Sequence, residues 1–234
     1  MKKKIVLPII SQNLEVINER DEDIFFEEII EEKKISNISL VNNEINYLSV
    51  KGSIFENVVF DKVRINFFDV SNVIFKDCDF SNSDLRSVLL HQVKFENCKF
   101  IGTNFSESNL KNVIFENSKG NFSYFRFSEL KNVEFSECLL LGSDFQEANF
   151  KNVYFSFSDL KKSQFSGVIL KNIDLSSCEI EGFFARTEDL KGIIIDVSQS
   201  VYIAKLVGVN FKWTFFFFNN FCLPFSSFVH NVTC

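Results

Sequence analysis

The amino-acid sequence predicts an all-β solenoid, a chain wound into stacked coils. The first observation is a large apolar residue at every fifth position through residues 53–195, with one gap at Gly120. The second is a smaller residue two positions before each large one. A period of five fits neither an amphipathic helix nor an alternating strand. A chain that turns after every five residues closes a square coil in 20, with both apolar positions inside and its neighbours above and below.

Composition is the third observation. The chain has 31 Phe in 234 residues, and most of them stand at the fifth position, where they would form stacked interior columns. Two Pro in the whole chain suit a repeated hydrogen-bonded ladder, in which Pro is poorly tolerated. Because the phase holds over more than 140 residues, we expect one repeat domain at residues 35–196.

Four five-residue units carry a resemblance to a known family. They are Ser83–Ser87, Thr103–Glu107, Ser143–Glu147 and Ala148–Asn152, which read SDLRS, TNFSE, SDFQE and ANFKN. These units resemble the pattern A(D/N)LXX of pentapeptide-repeat proteins, and the match covers about two thirds of the chain. The resemblance implies a right-handed quadrilateral β-helix. It is specific for the fold and carries little information about function.

Residues 1–34 differ in composition and are predicted to form an acidic N-terminal arm or cap. Nine acids and one base lie between Glu15 and Glu32. One interpretation is a solvated segment that caps the first coil and keeps the open end soluble. The other is a docking segment for a basic partner.

Beyond the repeat, residues 197–212 are predicted to form a short C-terminal capping helix and strand, with Asp196 or Ser198 as the N-cap and Gly208 as the stop. The candidate cap or dimer residues are Val201, Ile203, Leu206 and Val207. The segment resembles the closing segment of bacterial pentapeptide-repeat proteins, which covers the final coil and in several cases pairs two subunits. The Phe-rich tail, residues 213–234, follows no fivefold step, and we hypothesise that it is disordered or a non-native read-through or frame-shift product.

Residues 20 apart should share a column. One inner column reads Cys78, Cys98, Ser118, Cys138, Ser158, Cys178. A metal or redox site was weighed against small hydrophobic fillers, and the Ser–Cys alternation favours fillers. The absence of a CxxC pair and of a signal peptide indicates a reducing, cytoplasmic setting. At Gly120 we expect either compensation by Phe122 and Tyr124 or a small cavity.

Two outer columns are distinctive. One holds amides and is expected to hydrogen-bond along the rod: Asn72, Gln92, Asn112, Asn132, Asn152, Asn172. Beside it runs a candidate basic edge: Lys111, Lys131, Lys151, Lys171, Lys191. This edge could be a solubility device that blunts a long β surface, or it could contact an anionic partner.

The candidate partner-contact acids fall on two faces. One holds Glu96, Glu116, Glu134, Glu137 and Asp174; the other holds Asp84, Glu107, Asp144 and Glu147. The net charge of the chain is −6, and residues 51–195 hold 20 acids and 17 bases, a net of −3.

Features of an enzyme are scarce in this sequence. There are two His, and no zinc spacing or phosphate-binding glycine loop. Carboxylates on a convex rod have no dry concave pocket. We therefore expect no enzyme, no cofactor and no metal, and neither a membrane span nor direct nucleic-acid binding.

Two non-enzymatic functions remain. The repeats and closing segment resemble the Qnr-type quinolone-resistance proteins, which implies a dimeric DNA mimic that modulates DNA gyrase, a type II topoisomerase. DNA carries one charge per ~1.7 Å, so a mimic of this length should show on the order of 20 uncompensated acids, and a net of −3 falls well short. The alternative is a cytoplasmic protein-interaction scaffold whose partner is unknown.

Overall fold

The computed structural model describes residues 4–17 and 22–212. Its strands are β1 Glu15–Ile17, β2 Ile29–Glu31, β3 Lys33–Ser36, β4 Ser39–Val41, β5 Glu44–Lys51, β6 Ile54–Glu56, β7 Val59–Asp61, β8 Arg64–Lys76, β9 Leu89–Glu96, β10 Asn109–Glu116, β11 Glu129–Ser136 and β12 Asn149–Ser156. Two 3-10 turns, Glu22–Phe26 and Val197–Gln199, and one helix, α1 Ser200–Leu206, lie towards the two ends.

All strand pairs are parallel, and from β2 onward each pair is shifted by 20 residues. Phe95 pairs with Phe115 and Phe115 with Phe135. Beyond β12 the same register continues as isolated bridges as far as Asp174 and Ile194. The predicted all-β solenoid is therefore confirmed. Pairing also extends N-terminal to the predicted start at residue 35, because β1 pairs with β3 and β2 with β5.

The corners of the coil are residues in the left-handed backbone conformation, which recur every five residues. Consecutive examples are Asn112, Asn117, Phe122 and Phe127, with φ of 56°, 49°, 60° and 57°. Four such corners return the chain to the same column after 20 residues, so the coil has four sides. Asn occupies many corners because its short polar side chain tolerates this conformation better than most residues do. Phe122 and Phe127 lack that advantage.

Two stacks of Phe rings fill most of the interior. In one stack Phe95 lies 4.8 Å from Phe115, and Phe115 lies 4.8 Å from Phe135, with interplanar angles of 5° and 3°. The second stack contains Phe125 and Phe145, 4.9 Å apart. The ring spacing equals the distance between neighbouring strands, ~4.8 Å, so the backbone ladder imposes it. The two stacks meet edge to face, a favourable arrangement for aromatic rings.

Gly120 interrupts an interior column, and the expected compensation by Phe122 and Tyr124 is wrong. Both of those side chains point outward and are substantially exposed. Instead, the ring of Phe100 fills the space, since a Cβ added to Gly120 would lie 1.7 Å from Phe100 Cε2. Phe100 is fully buried there and contacts Phe115, with the ring centroids 5.1 Å apart.

The thiols of Cys78, Cys98, Cys138 and Cys178 are buried and free. Cys138 Sγ donates to the carbonyl oxygens of Phe115 and Ser136 at 3.4 Å. Burial raises the pKa of the Cys138 thiol to about 12. These cysteines are therefore small interior residues, as the Ser–Cys alternation predicted.

The N-terminal end of the stack is closed by the turn Glu22–Phe26. Ile24 and Phe25 are buried, and the ring of Phe25 packs edge to face on Phe60 at 5.2 Å. The acidic stretch thus contributes an apolar plug, which fits the interpretation of this stretch as a cap.

At the other end, Asp196 forms the predicted N-cap. Its carboxylate accepts from Ser198 N–H, while Gln199 Oε1 accepts from Asp196 N–H, a capping box. The buried Gln199 Nε2 donates to the carbonyls of Leu175 and Cys178 in the last coil. The helix ends before Gly208, as expected.

Of the candidate cap residues, Ile203 and Leu206 pack on the core, together with Tyr202, which the sequence analysis did not name. Val201 is partly buried and Val207 is exposed. The predicted strand is absent from residues 197–212, where the chain after α1 continues without regular structure. The hypothesis about the tail falls on residues 213–234, outside the described part of the chain.

Within residues 4–17 and 22–212, the apolar helix length needed to cross a bilayer is not reached anywhere.

We predict that Gly120→Ala destabilises the protein by about 1–3 kcal/mol, because the new methyl group overlaps the Phe100 ring and a packed core resists added volume. The double variant Phe100→Leu/Gly120→Ala should lose less than the sum of the single variants, since the smaller leucine vacates the space. Urea unfolding of the wild type and the three variants measures this. Strictly additive losses would contradict the packing described.

Candidate interaction surfaces

The outward side chains lie on four faces, which we name from one coil. The lysine face contains residues 108–112, the acidic face 113–117, the mixed face 118–122 and the arginine face 123–127, together with residues 20, or multiples of 20, away. Each face ends at a corner residue of left-handed conformation. The register of the strands and bridges places the corresponding residues of successive coils directly above one another.

Charge is unevenly divided among these faces. For residues 51–195, the acidic face holds seven acids and two bases, a net of −5. The lysine face holds three acids and six bases, a net of +3. The mixed and arginine faces each balance, with five of each sign on the former and four on the latter. The small net charge of the repeat therefore conceals two adjacent faces of opposite sign.

The structure brings five of the candidate acids to the acidic face: Glu96, Glu116, Glu134, Glu137 and Asp174. Lys94 lies among them, with Nζ 2.8 Å from Glu96 Oε2 and 2.7 Å from Glu116 Oε2. Burial disfavours the charged form of Lys94, but its hydrogen bonds to both carboxylates outweigh this and raise the pKa of the ammonium. The central part of the acidic face is therefore partly neutralised.

The remaining candidate acids, Glu107, Asp144 and Glu147, lie on the arginine face. Glu147 Oε1 is 3.5 Å from Arg186 Nη1, and Asp144 pairs with Arg126. The arginine face takes its name from Arg64, Arg86, Arg126 and Arg186, which are all the arginines in the described part of the chain.

Asp144 is buried, and its pair with Arg126 is well defined. Arg126 Nε donates to Asp144 Oδ2 at 2.6 Å, and Gln146 N–H donates to Asp144 Oδ1 at 3.0 Å. The hydrogen bond to Asp144 raises the pKa of the Arg126 guanidinium. The guanidinium also lies over the Tyr124 ring, 5.7 Å from its centroid. Asp144 thus positions Arg126 beside an exposed aromatic ring.

Three aromatic side chains of one coil are exposed across the arginine face. Phe122 and Phe127 stand at its two corners and are 55% and 60% exposed; Tyr124 stands between them and is 41% exposed. In the adjacent coils the same columns hold smaller or polar residues: Gly102, Asn104, Glu107, Gly142, Asp144, Glu147. Gly142 leaves room for the Phe122 ring, which would lie 2.8 Å from an added Cβ. We call Phe122, Tyr124 and Phe127 the aromatic belt.

The lysine face carries the predicted amide ladder. Asn132 Nδ2 donates to Asn112 Oδ1 and Asn152 Nδ2 donates to Asn132 Oδ1, both at 2.9 Å. Asn112 and Asn132 are buried, although the repeat pattern placed this column outside. The basic edge lies beside the ladder: Lys111, Lys131 and Lys151 are aligned by strand pairing, and Lys171 and Lys191 continue the same 20-residue step.

The ladder does not extend to Asn72 and Gln92, because another segment occupies them. Ile9 N–H donates to Asn72 Oδ1 at 3.0 Å, and Gln92 Nε2 donates to the Leu7 carbonyl at 3.1 Å. Residues 4–11, here the N-terminal strap, therefore run along the corner from coil to coil, and Ile5 is buried. The predicted N-terminal arm thus does more than cap the first coil.

The sequence analysis missed both the aromatic belt and the strap. The belt could have been found, since reading every twentieth residue shows Phe122, Tyr124 and Phe127 among polar and small neighbours. The only sequence signal for the strap is Gln92, whose longer side chain departs from the asparagines of its column. Within the described residues, no cluster of three or more His, Cys, Asp or Glu side chains could hold a metal ion.

Comparison with known proteins agrees with this architecture. Residues 88–165 match a family model described as a pentapeptide repeat region, which confirms the resemblance expected from the sequence. Among curated proteins, none matches the chain.

Solved structures of three such proteins are similar to this chain. QnrB1, described as a plasmid-mediated fluoroquinolone resistance protein, is 16% identical over 83% of this chain and 95% of its own, with a TM-score of 0.46. HetL, a pentapeptide repeat protein involved in heterocyst differentiation regulation in the cyanobacterium Nostoc, is 17% identical over 70% and 90%, with a TM-score of 0.33. Rfr23 from the cyanobacterium Cyanothece is 13% identical over 74% and 95%, with a TM-score of 0.18.

We predict that Asp144→Asn lowers the free energy of unfolding by about 2 kcal/mol, because a buried hydrogen-bonded charge pair becomes a donor facing a donor. Asp84→Asn is a matched control in the same column. Its partner Arg64 is exposed and lies 3.4 Å away, so the loss should stay below about 1 kcal/mol. Urea unfolding measures both values, and equal losses would refute the distinction.

Proposed function

Starting from a chain whose residues 88–165 form a pentapeptide-repeat region, we propose that this protein is a non-enzymatic interaction scaffold that binds a protein partner through its arginine face. Its interior is filled by its own side chains, so the outside of the rod is the part available for recognition. We place this activity in the cytoplasm, in agreement with the free, buried thiols.

The aromatic belt is the observation that carries the proposal. Aromatic residues and arginine are enriched where protein interfaces bury most of their binding energy, with a polar rim around them. Phe122, Tyr124 and Phe127 expose large apolar area next to Arg126, and polar or small residues surround them in the coils above and below. The parallel ladder holds all four on a rigid support, which reduces the entropy lost on binding.

The corner conformation makes the belt notable. Phe gains nothing from a left-handed φ, whereas Asn or Gly at the same corners would be less strained. Phe122 and Phe127 both adopt this conformation while leaving their rings in water. Two residues that serve neither the corner nor the core are well suited to contact a partner.

We expect Phe122→Asn/Phe127→Asn to abolish partner capture while leaving the fold intact, because asparagine suits the corner backbone. The matched control is Phe157→Asn, an exposed corner Phe on another face with φ of 49°. Tagged wild type and both variants would be incubated with lysate of the source cell and crosslinked, and the captured proteins would be quantified. A partner that all three proteins retain equally would remove the belt as the binding site.

DNA mimicry directed at gyrase is the second candidate, and the clustering of seven acids on one face favours it. In this function the acidic face would stand in for duplex phosphates, and a dimer formed through Val201, Ile203, Leu206 and Val207 would lengthen the rod. The ion pairs of Lys94 with Glu96 and Glu116 weigh against it, because a mimic needs uncompensated charge.

A gyrase supercoiling assay with added fluoroquinolone tests this candidate. If it is correct, micromolar protein reduces drug inhibition, and Glu116→Gln/Glu137→Gln reduces that protection because both carboxylates lie on the acidic face. The aromatic-belt variant should keep the protection. Unchanged drug sensitivity with wild-type protein would exclude the candidate while leaving the scaffold proposal standing.

A further inference from the structure

A second surface, separate from the aromatic belt, is formed by the five lysines of the basic edge. No salt bridge joins Lys111, Lys131, Lys151, Lys171 or Lys191 to a carboxylate in the described part of the chain. Many other basic residues of the repeat are paired, among them Lys76, Lys94 and Lys99. The unpaired positive charges are therefore concentrated in one straight column.

This column is electrostatically unfavourable when nothing is bound to it. Neighbouring lysines are separated by about 4.8 Å along the rod, and two unit charges at that distance repel by about 1 kcal/mol even in bulk water. Flexible side chains and salt reduce the repulsion without removing it. A bound anionic group would convert the same column into a source of affinity.

The N-terminal strap shows that an extended chain fits along this edge. Asn72 and Gln92 hold the strap through the backbone N–H of Ile9 and the carbonyl of Leu7. The strap runs along the amide column towards Asn112, and the basic edge begins beside that residue. The column continues through Asn152, which is partly exposed, to Asn172, which is exposed. Corner amides and lysines are therefore accessible beyond the strap.

We propose that the basic edge binds an extended acidic polypeptide segment of a partner protein, aligned with the rod axis as the strap is. The five lysines span about 19 Å, four intervals of the strand spacing. In an extended chain, alternate residues lie about 6.6 Å apart, so four carboxylates on one side span about 20 Å. The lengths match, and Asn172 can donate to the segment's backbone as Gln92 does to the strap.

Nucleic acid and membrane fit this edge less well. Single-stranded nucleic acid is held by stacking on aromatic rings, and the exposed large apolar residue on this stretch of the lysine face is Ile169. A flat anionic membrane would also meet the adjacent acidic face, with its net charge of −5. A narrow acidic segment contacts the lysine column and avoids that face.

The experiment uses fluorescence polarisation of a labelled peptide in which four glutamates alternate with threonines. At low ionic strength the full chain should bind this peptide, and Lys131→Gln/Lys151→Gln/Lys171→Gln should weaken binding about tenfold, the sum expected for three exposed ion pairs. The matched control, Lys119→Gln/Lys162→Gln/Lys205→Gln, removes three other lysines that form no salt bridge in the described structure. It should stay within about twofold of wild type.

Absence of peptide binding to wild-type protein would overturn the proposal. Equal weakening in both triple variants would do the same, because it would show an effect of total charge alone. Tighter binding of a labelled oligothymidine, or of phosphatidylserine vesicles, through the same three lysines would assign the edge to a different class of partner. Urea unfolding of each variant verifies that the fold is retained. None of these results depends on the aromatic belt, so the scaffold proposal is tested separately.

Discussion

The parallel backbone ladder with its 20-residue register is the constraint on which the rest of the structure depends. It fixes the distance between equivalent residues of successive coils at the strand spacing, ~4.8 Å. Inside the rod this distance sets the stacking of Phe95, Phe115 and Phe135. Outside, it aligns the asparagine amides of β10, β11 and β12 into one hydrogen-bonded line. The same geometry that builds the core therefore also arranges each outward side chain into a column.

Departures from the repeat show how this constraint is accommodated. At Gly120 the ladder continues, and the missing side chain is replaced by the Phe100 ring from the coil before. At Asn72 and Gln92 the amide ladder is given up in favour of the N-terminal strap. At Phe122 and Phe127 the corner backbone is kept although the residue type does not suit it. The backbone is preserved in all three cases, and only side-chain partners change.

Most of the fold follows from the sequence because one rule, a turn after every five residues, governs residues 53–195. The inner columns, the cysteine fillers and the Asp196 cap could be predicted from residue type and spacing alone. The filling of the Gly120 space could not, because it depends on the rotamer of Phe100 in a neighbouring coil. The strap was also beyond prediction, since residues 4–11 lie outside the repeat and contact side chains more than 60 positions away. The two charged faces could be read from columns, but the neutralising position of Lys94 depends on side-chain geometry.

The 20-residue register also limits how a gene for such a protein can change length. Duplication or loss of 20 codons adds or removes one complete coil and leaves the lysine, acidic, mixed and arginine faces continuous. A change of five codons keeps the apolar phase but rotates everything downstream by one side, so that Lys131 would follow residues of another face. Any other length breaks the interior. Family members that differ by whole coils can therefore share surface chemistry, whereas members that differ by a single unit acquire new combinations of faces from the same coding material.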